Sequence, residues 1–151
     1  MTTISEDYVS FETAKLLKEK GFDEKCQKVY MHNGQLLWAQ IFMEGESFVN
    51  NKDIDLVANY NDWITYTQGE YAYLCPTLQM AMKWLREVHN LFIQICIIPH
   101  TTITIEQKYY FFTIHKDRRT LAFRKDFTSE YYFTYEEACE AAIKYCLEHL
   151  I

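Results

Sequence analysis

Apolar residues recur at helical spacing in three stretches of the chain and alternate, or run together, in the segments between them. The first stretch begins after Ser10, whose hydroxyl can accept from the open N–H groups of a first turn, with Glu12 placed near the positive end of the helix dipole. Its apolar stripe is Phe11, Ala14 and Leu17. Lys18 and Lys20 sit in the last turn, Gly21 supplies a left-handed C′ position, and Phe22 can fold back on the stripe. The second stretch opens at Cys75-Pro76-Thr77, because the residue before proline avoids the α region and Thr77 can serve as N-cap. Leu78, Ala81, Met82, Leu85 and Val88 give it one core face, and Met80 and Trp84 widen that face. It ends near His89-Asn90, where Asn can take the left-handed position. The third stretch starts at Thr134-Tyr135-Glu136-Glu137, a capping box, and carries the stripe Ala138, Ala142, Cys146 and Leu150, with Glu140, Lys144 and Glu148 on the wet face.

Between the helices the pattern is that of strands. Lys28 to His32 and Gln35 to Phe42 flank Asn33-Gly34, a two-residue hairpin signal in which both turn positions must accept positive φ. Glu44 to Asn61 reads as irregular, with asparagines marking turns around Ile54, Leu56 and Val57. Trp63 to Thr67 and Glu70 to Leu74 read as a short aromatic hairpin around Gln68-Gly69. Leu91 to Ile98 is an Ile-rich apolar run stopped by Pro99, which reads as a central strand. Lys108 to His115 alternates with Tyr110, Phe112 and Ile114 on one face. Thr120 to Lys125 returns after a turn at Lys116 to Arg119 and adds Leu121 and Phe123 to that face. The expected fold is therefore α+β, an antiparallel sheet with three helices, in a single globular domain over residues 1–151, whose C-terminal segment has the order α-β-β-β-α.

Composition narrows the class. A chain of 151 residues with 49% hydrophobic and 24% charged positions can bury a core of its own, and 4 Gly and 2 Pro argue against long linkers. The five cysteines are odd in number, form no C-x-x-C pair and lie mostly in apolar runs, as reduced thiols do. Met1 to Asp7 has neither a basic nor an apolar leader region, and no segment approaches about 18 uninterrupted apolar residues. The reading is cytoplasmic, with no membrane contact. A net charge of −6 disfavours whole-molecule attraction to nucleic acid.

Two helical stretches, Pro76 through Asn90 (Pro-Thr-Leu-Gln-Met-Ala-Met-Lys-Trp-Leu-Arg-Glu-Val-His-Asn) and Tyr135 through Leu147, resemble a group of small proteins of gut anaerobic bacteria, including their phages and mobile elements. Tyr8-Val9-Ser10 through Gly21-Phe22-Asp23 is similar as well. The likeness covers the three helices, about a third of the chain, and implies no catalytic residue, because that group has no established activity.

No local motif marks chemistry. Cys96 and His100 stand four apart, with His89 and His115 in the same half, but nothing has the paired-ligand spacing of a zinc site. Cys139 and Cys146 fall on a core-facing stripe, and Glu136-Glu137 belong to a helix cap. No nucleophile elbow, phosphate loop or H-E-x-x-H occurs. No cofactor, metal site or catalytic residue is expected. Two surfaces remain. Lys116, Arg118, Arg119, Arg124 and Lys125 lie near Tyr109 and Phe111, a mixture suited to phosphate contact and base stacking, in a segment whose α-β-β-β-α order resembles the double-stranded RNA-binding fold. That module's contacts use lysines at the start of its last helix, where this chain has Tyr135, Glu136 and Glu137. The other surface is Met80, Trp84, Tyr109, Phe111, Tyr131 and Tyr132, apolar surplus of the kind enriched in interface cores, for an unknown protein partner or self-association. The favoured function is that of a small non-enzymatic interaction or accessory protein, related to phages or mobile elements. Nucleic-acid binding and an enzyme without local motifs are the alternatives.

Overall fold

The structure, a computed structural model, describes residues 3–60, 71–98, 109–123 and 131–151. It is α+β: the described residues form five helices and two three-stranded antiparallel sheets. Two of the helices and the division into two sheets depart from the expectation of one sheet with three helices. The chain divides into two compact units, Met1–Thr77 and Leu78–Ile151.

In the first unit, helix α1 spans Phe11–Glu19. Thr13 N–H donates to Ser10 Oγ at 3.2 Å, the N-cap that the sequence predicts. At the other end Gly21 sits at φ +86°, its N–H donates to Lys18 O, and Phe22 N–H donates to Leu17 O at 2.9 Å. These two bonds close a Schellman motif, and Phe22 and Leu17 are both fully buried, the apolar contact that completes it.

Strand β1, Lys28–Met31, is central, flanked antiparallel by β2, Leu36–Trp38, and by β3, Ala72–Cys75. The hairpin between β1 and β2 forms, but not with the expected two-residue turn. Only Gly34 has positive φ. Gly34 N–H donates to Met31 O and Met31 N–H to Gln35 O, which is a three-residue loop with glycine at the bulge. A side chain on Gly34 would lie 3.6 Å from the Phe11 ring.

The expected second strand ends at Trp38, where a single helical turn, α2, takes over from Ala39 to Phe42, and Met43 N–H donates to Ala39 O. Helix α3, Asn51–Tyr60, replaces the expected irregular region. Its start is a reciprocal cap, with Asn50 N–H donating to Asp53 Oδ2 at 3.0 Å and Asp53 N–H to Asn50 Oδ1 at 3.1 Å. Asp23 Oδ1 accepts from Asn51 N–H at 2.7 Å, which ties the start of α3 to the segment that follows α1. The register places Tyr30 beside Tyr73 on one sheet face, where both rings meet Phe11 of α1, and Val29 beside Leu74 on the other. Of the expected aromatic hairpin, Trp63 to Thr67 lies outside the described residues.

In the second unit the order α-β-β-β-α is observed: helix α4, Leu78–His89, strands β4, Phe92–Ile98, β5, Tyr109–Lys116, and β6, Arg119–Phe123, and helix α5, Tyr135–His149. Helix α4 ends at Asn90 with φ +57°, and Asn90 Nδ2 donates to Asp117 Oδ1 at 2.6 Å. Asp117 and Arg118, at φ +48° and +65°, form the tight turn between β5 and β6 with Lys116 opposite Arg119. This is the turn with two positive-φ residues, although neither is glycine. Both helices pack on the sheet and on each other. Leu78, Ala81, Trp84 and Leu85 of α4 are buried, as are Ala138, Cys139, Ala142, Ile143, Cys146 and Leu147 of α5. Val88, expected on the core stripe, is 58% exposed.

One strand sits elsewhere than expected. The order β4-β5-β6 makes β5 the middle strand and leaves β4 at an edge among the described residues. Beyond a register shift at Ile114/His115, Ala122 stands opposite Ile114 and Phe123 opposite Thr113, so Leu121 and Phe123 do not share the Phe112 face as expected.

Candidate functional site

Side chains of a strand alternate between faces, and residues paired across an antiparallel ladder share a face. Strand β4 pairs with β5 in unbroken register from Phe92↔His115 to Ile98↔Tyr109. Ile93, Ile95 and Ile97 therefore lie with Ile114, Phe112 and Tyr110 on one face. Helix α5 covers that face, Tyr145 meeting Phe112 at 6.1 Å and Tyr135 meeting Tyr110 at 6.3 Å. Phe92, Gln94, Cys96 and Ile98 lie with His115, Thr113, Phe111 and Tyr109 on the other face.

The segment before α5 extends this second face. Tyr132 bridges Tyr110, with backbone bonds of 2.8 and 2.9 Å in both directions. Tyr132 thus shares the helix-covered face, where its ring stacks on Phe112 at 6.2 Å. Its neighbours Tyr131 and Phe133 point the opposite way, and both rings meet Tyr109, at 5.7 and 5.8 Å. The result is an aromatic and aliphatic surface of Phe92, Ile98, Tyr109, Phe111, Tyr131 and Phe133. Phe133 is 59% exposed and Phe92 45%. An antiparallel sheet with one face on the core ordinarily carries polar residues on the other.

Of the six residues expected on a partner surface, Tyr109, Phe111 and Tyr131 come together here. Tyr132 does not, for the reason of alternation. Trp84 does not either: it is 6% exposed, with its ring edge-on to His89 at 4.7 Å. Met80 is half-buried on α4. Phe92, Ile98 and Phe133 were missed, although the same period-two alternation, applied to 92–98 and to 131–133, contains them.

The basic hairpin forms in part. Arg118 and Arg119 are exposed at the β5–β6 turn, with Lys116 half-buried and Asp117 between them. Arg124 and Lys125 lie outside the described residues. At the base of the hairpin His115 engages two hydroxyls, Thr113 Oγ1 at 2.9 Å from Nε2 and Thr120 Oγ1 at 3.2 Å from Nδ1. His89 Nε2 is buried with no hydrogen-bond partner among the described residues. Burial, and then the charge of Lys116, hold its pKa below the ordinary value.

Among the described residues no three His, Cys, Asp or Glu side chains are grouped to hold a metal ion. Cys96 is half-buried on β4 opposite Phe111, and His100 lies outside the described residues. Cys139 and Cys146 are buried on α5, and burial pushes the Cys146 thiol up to about 12. Glu137 caps its helix: its N–H donates to Thr134 Oγ1 at 3.1 Å and its Oε2 accepts from Phe133 N–H at 3.2 Å, one residue further back than a capping box predicts. No helix of the described residues is long and apolar enough to cross a membrane. Comparison with protein-family models, with curated proteins and with solved structures finds no match.

Proposed function

We propose that this chain is a small non-enzymatic accessory protein that acts by holding a protein partner on the aromatic face of its second unit. The observation that carries the reading is the convergence of Tyr109, Phe111, Tyr131 and Phe133 with Phe92 and Ile98 on the sheet face opposite α5. Tyrosine and phenylalanine supply large contact area at small rotamer cost and are enriched at the centres of interfaces. The likeness of the three helices to small proteins of gut anaerobes and their phages supports an accessory role in a phage or mobile-element setting. Five cysteines, none in a disulfide, support a cytoplasmic one.

The test replaces Tyr109 and Phe133 together by Ser, which leaves the opposite, buried face of the sheet intact. A partner that co-purifies with the wild-type chain from its host is lost with the double variant while the circular dichroism spectrum is unchanged. Retention of the same partners by the variant, or no partner with either, refutes the reading.

The alternative, nucleic-acid binding, is favoured by Arg118 and Arg119 at the tip of the β5–β6 hairpin. Glu136 and Glu137 at the start of α5 oppose it, since a double-stranded RNA-binding module places phosphate there. Salt-sensitive binding lost in Arg118→Glu with Arg119→Glu would favour this alternative, and no binding at low salt ends it.

A further inference from the structure

Among the described residues, strand β4 has a neighbour on one side only, its hydrogen-bonding partner β5. An edge of this kind is a template for another strand, and natural sheets blunt such edges with charge, proline, bulges or short length. None of these devices is present. Phe92–Ile98 runs seven residues, pairs with β5 without a register shift, and contains no charged residue and no proline.

The strand is also self-complementary. Phe-Ile-Gln-Ile-Cys-Ile-Ile has the same pattern of residue classes from either end, with Ile95 at its centre. Laid antiparallel on a copy of itself about a twofold axis through Ile95, it pairs Phe92 with Ile98, Ile93 with Ile97, and Gln94 with Cys96. Every apolar residue meets an apolar residue, and Gln94 meets Cys96. A one-residue slip would turn the isoleucine row to the wrong face, and a two-residue slip leaves Phe92 and Ile93 unpaired. The surface left over in the monomer lies where this pairing would cover it. Ile97 is 55% exposed, although it belongs to the face that the helices cover, and Ile93 and Ile95 remain half-exposed beside it.

We propose that a second copy of this chain adds at the edge of β4, in antiparallel register centred on Ile95, so that the two three-stranded sheets join into one continuous sheet. The contact is isologous, each copy giving the same strand, so it closes as a dimer instead of growing into a fibre. It uses the edge of the sheet and not its aromatic face, and stands independently of the partner reading above.

Sedimentation equilibrium of the full chain over a concentration series tests the mass, with a dimer expected. Ile97→Lys changes a residue exposed in the monomer and puts two like charges into the paired edge. It should weaken association at least about tenfold. The register has its own test. In Gln94→Cys the new thiol of one chain faces Cys96 of the other at cross-strand distance, so mild oxidation with diamide gives a covalent dimer on a non-reducing gel. Adding Cys96→Ser removes that band. A monomer at every concentration overturns the proposal, as does a dimer that neither responds to Ile97→Lys nor cross-links through Gln94→Cys. Replacing Tyr109 and Phe133 by Ser should leave the dimer intact, so loss of partner and loss of dimer are separately visible.

Discussion

Truncating Trp84 separates a core residue from a binding residue, because the two roles predict opposite pairs of results. A tryptophan buries roughly 150–250 Å² on folding. Trp84 keeps 6% of its surface, and cutting it back to alanine removes about 150 Å² of buried apolar area. At about 25 cal/mol/Å² that is about 4 kcal/mol, and the edge-on contact with His89 adds somewhat less than 1 kcal/mol. Trp84→Ala should therefore cost about 4 kcal/mol, within the usual range for deleting a large core aromatic. Val88, one turn further along α4, is the control: it is 58% exposed, and Val88→Ala should cost under about 0.5 kcal/mol. Urea unfolding followed by far-ultraviolet circular dichroism measures both. At an m-value of about 1.5 kcal/mol/M the tryptophan variant loses some 2–3 M in midpoint and the valine variant almost nothing. A Trp84→Ala variant as stable as the parent but deficient in partner binding would refute its placement in the core. A costly Val88→Ala would refute the orientation of the helix.

Three further outcomes follow from named groups. Arg118 holds φ +65° in the β5–β6 turn, a conformation glycine takes without strain, so Arg118→Gly should raise the urea midpoint by about 0.5 kcal/mol equivalent, and a lowered midpoint would contradict the turn. His89 has a folded pKa below its ordinary 6.5, so its contribution to stability is complete above 6.5 and is lost as pH falls from there through the folded value, where the unfolded chain binds the proton first. Subtracting the pH profile of His89→Gln from that of the parent should reveal this acid-side loss, and a flat difference counts against it. Native chain treated with iodoacetamide at pH 8 should label at Cys96 and stay protected at the four buried cysteines until urea is added, with peptide mass spectrometry as the readout; fast labelling of Cys146, whose thiol burial pushes up to about 12, would refute the packing of α5.

What the sequence made legible is mostly what is encoded within a few residues. Ser10 and Gly21 bracket α1 because cap bonds and a left-handed residue act locally, and the same holds for Thr134 at α5. Helix α3 is carried by an equally local signal, Asn50 with Asp53 three residues later, which reads as a turn because asparagine favours turns and caps for the same hydrogen-bonding reason. The two tight turns show the limit from the other side. Asn33-Gly34 has the composition for paired positive φ and uses only its glycine, while Asp117-Arg118 lacks glycine and adopts positive φ twice. Strand register, set by long-range pairing, chose between them. At the candidate site, alternation alone brought Tyr109 and Phe111 together. It also implies that Tyr131 and Tyr132 point to opposite faces, a consequence the composition of that stretch obscures. Trp84 was misplaced because seven apolar residues over eleven positions of α4 fit more than one choice of buried face, and contact with the sheet and α5 selects one of them.

The position of β4 is the most informative discrepancy. A near-continuous apolar run with isoleucine at alternate positions is the signature of a strand buried on both sides, and on that ground Leu91 to Ile98 reads as a central strand. Among the described residues of one chain it is an edge, with Ile97 more than half exposed. Edge strands of stable monomers commonly carry some defence against pairing, and the absence of charge, proline and bulge from Phe92–Ile98 supports the proposed pairing. In the proposed dimer β4 lies at the centre of the joined sheet, with β5 on one side and its symmetry mate on the other. The sequence pattern then describes the assembly correctly where it misdescribes the isolated chain. The same dimer would repeat the aromatic face of Tyr109, Phe111 and Phe133 on both halves of one sheet, giving a partner two equivalent places to bind.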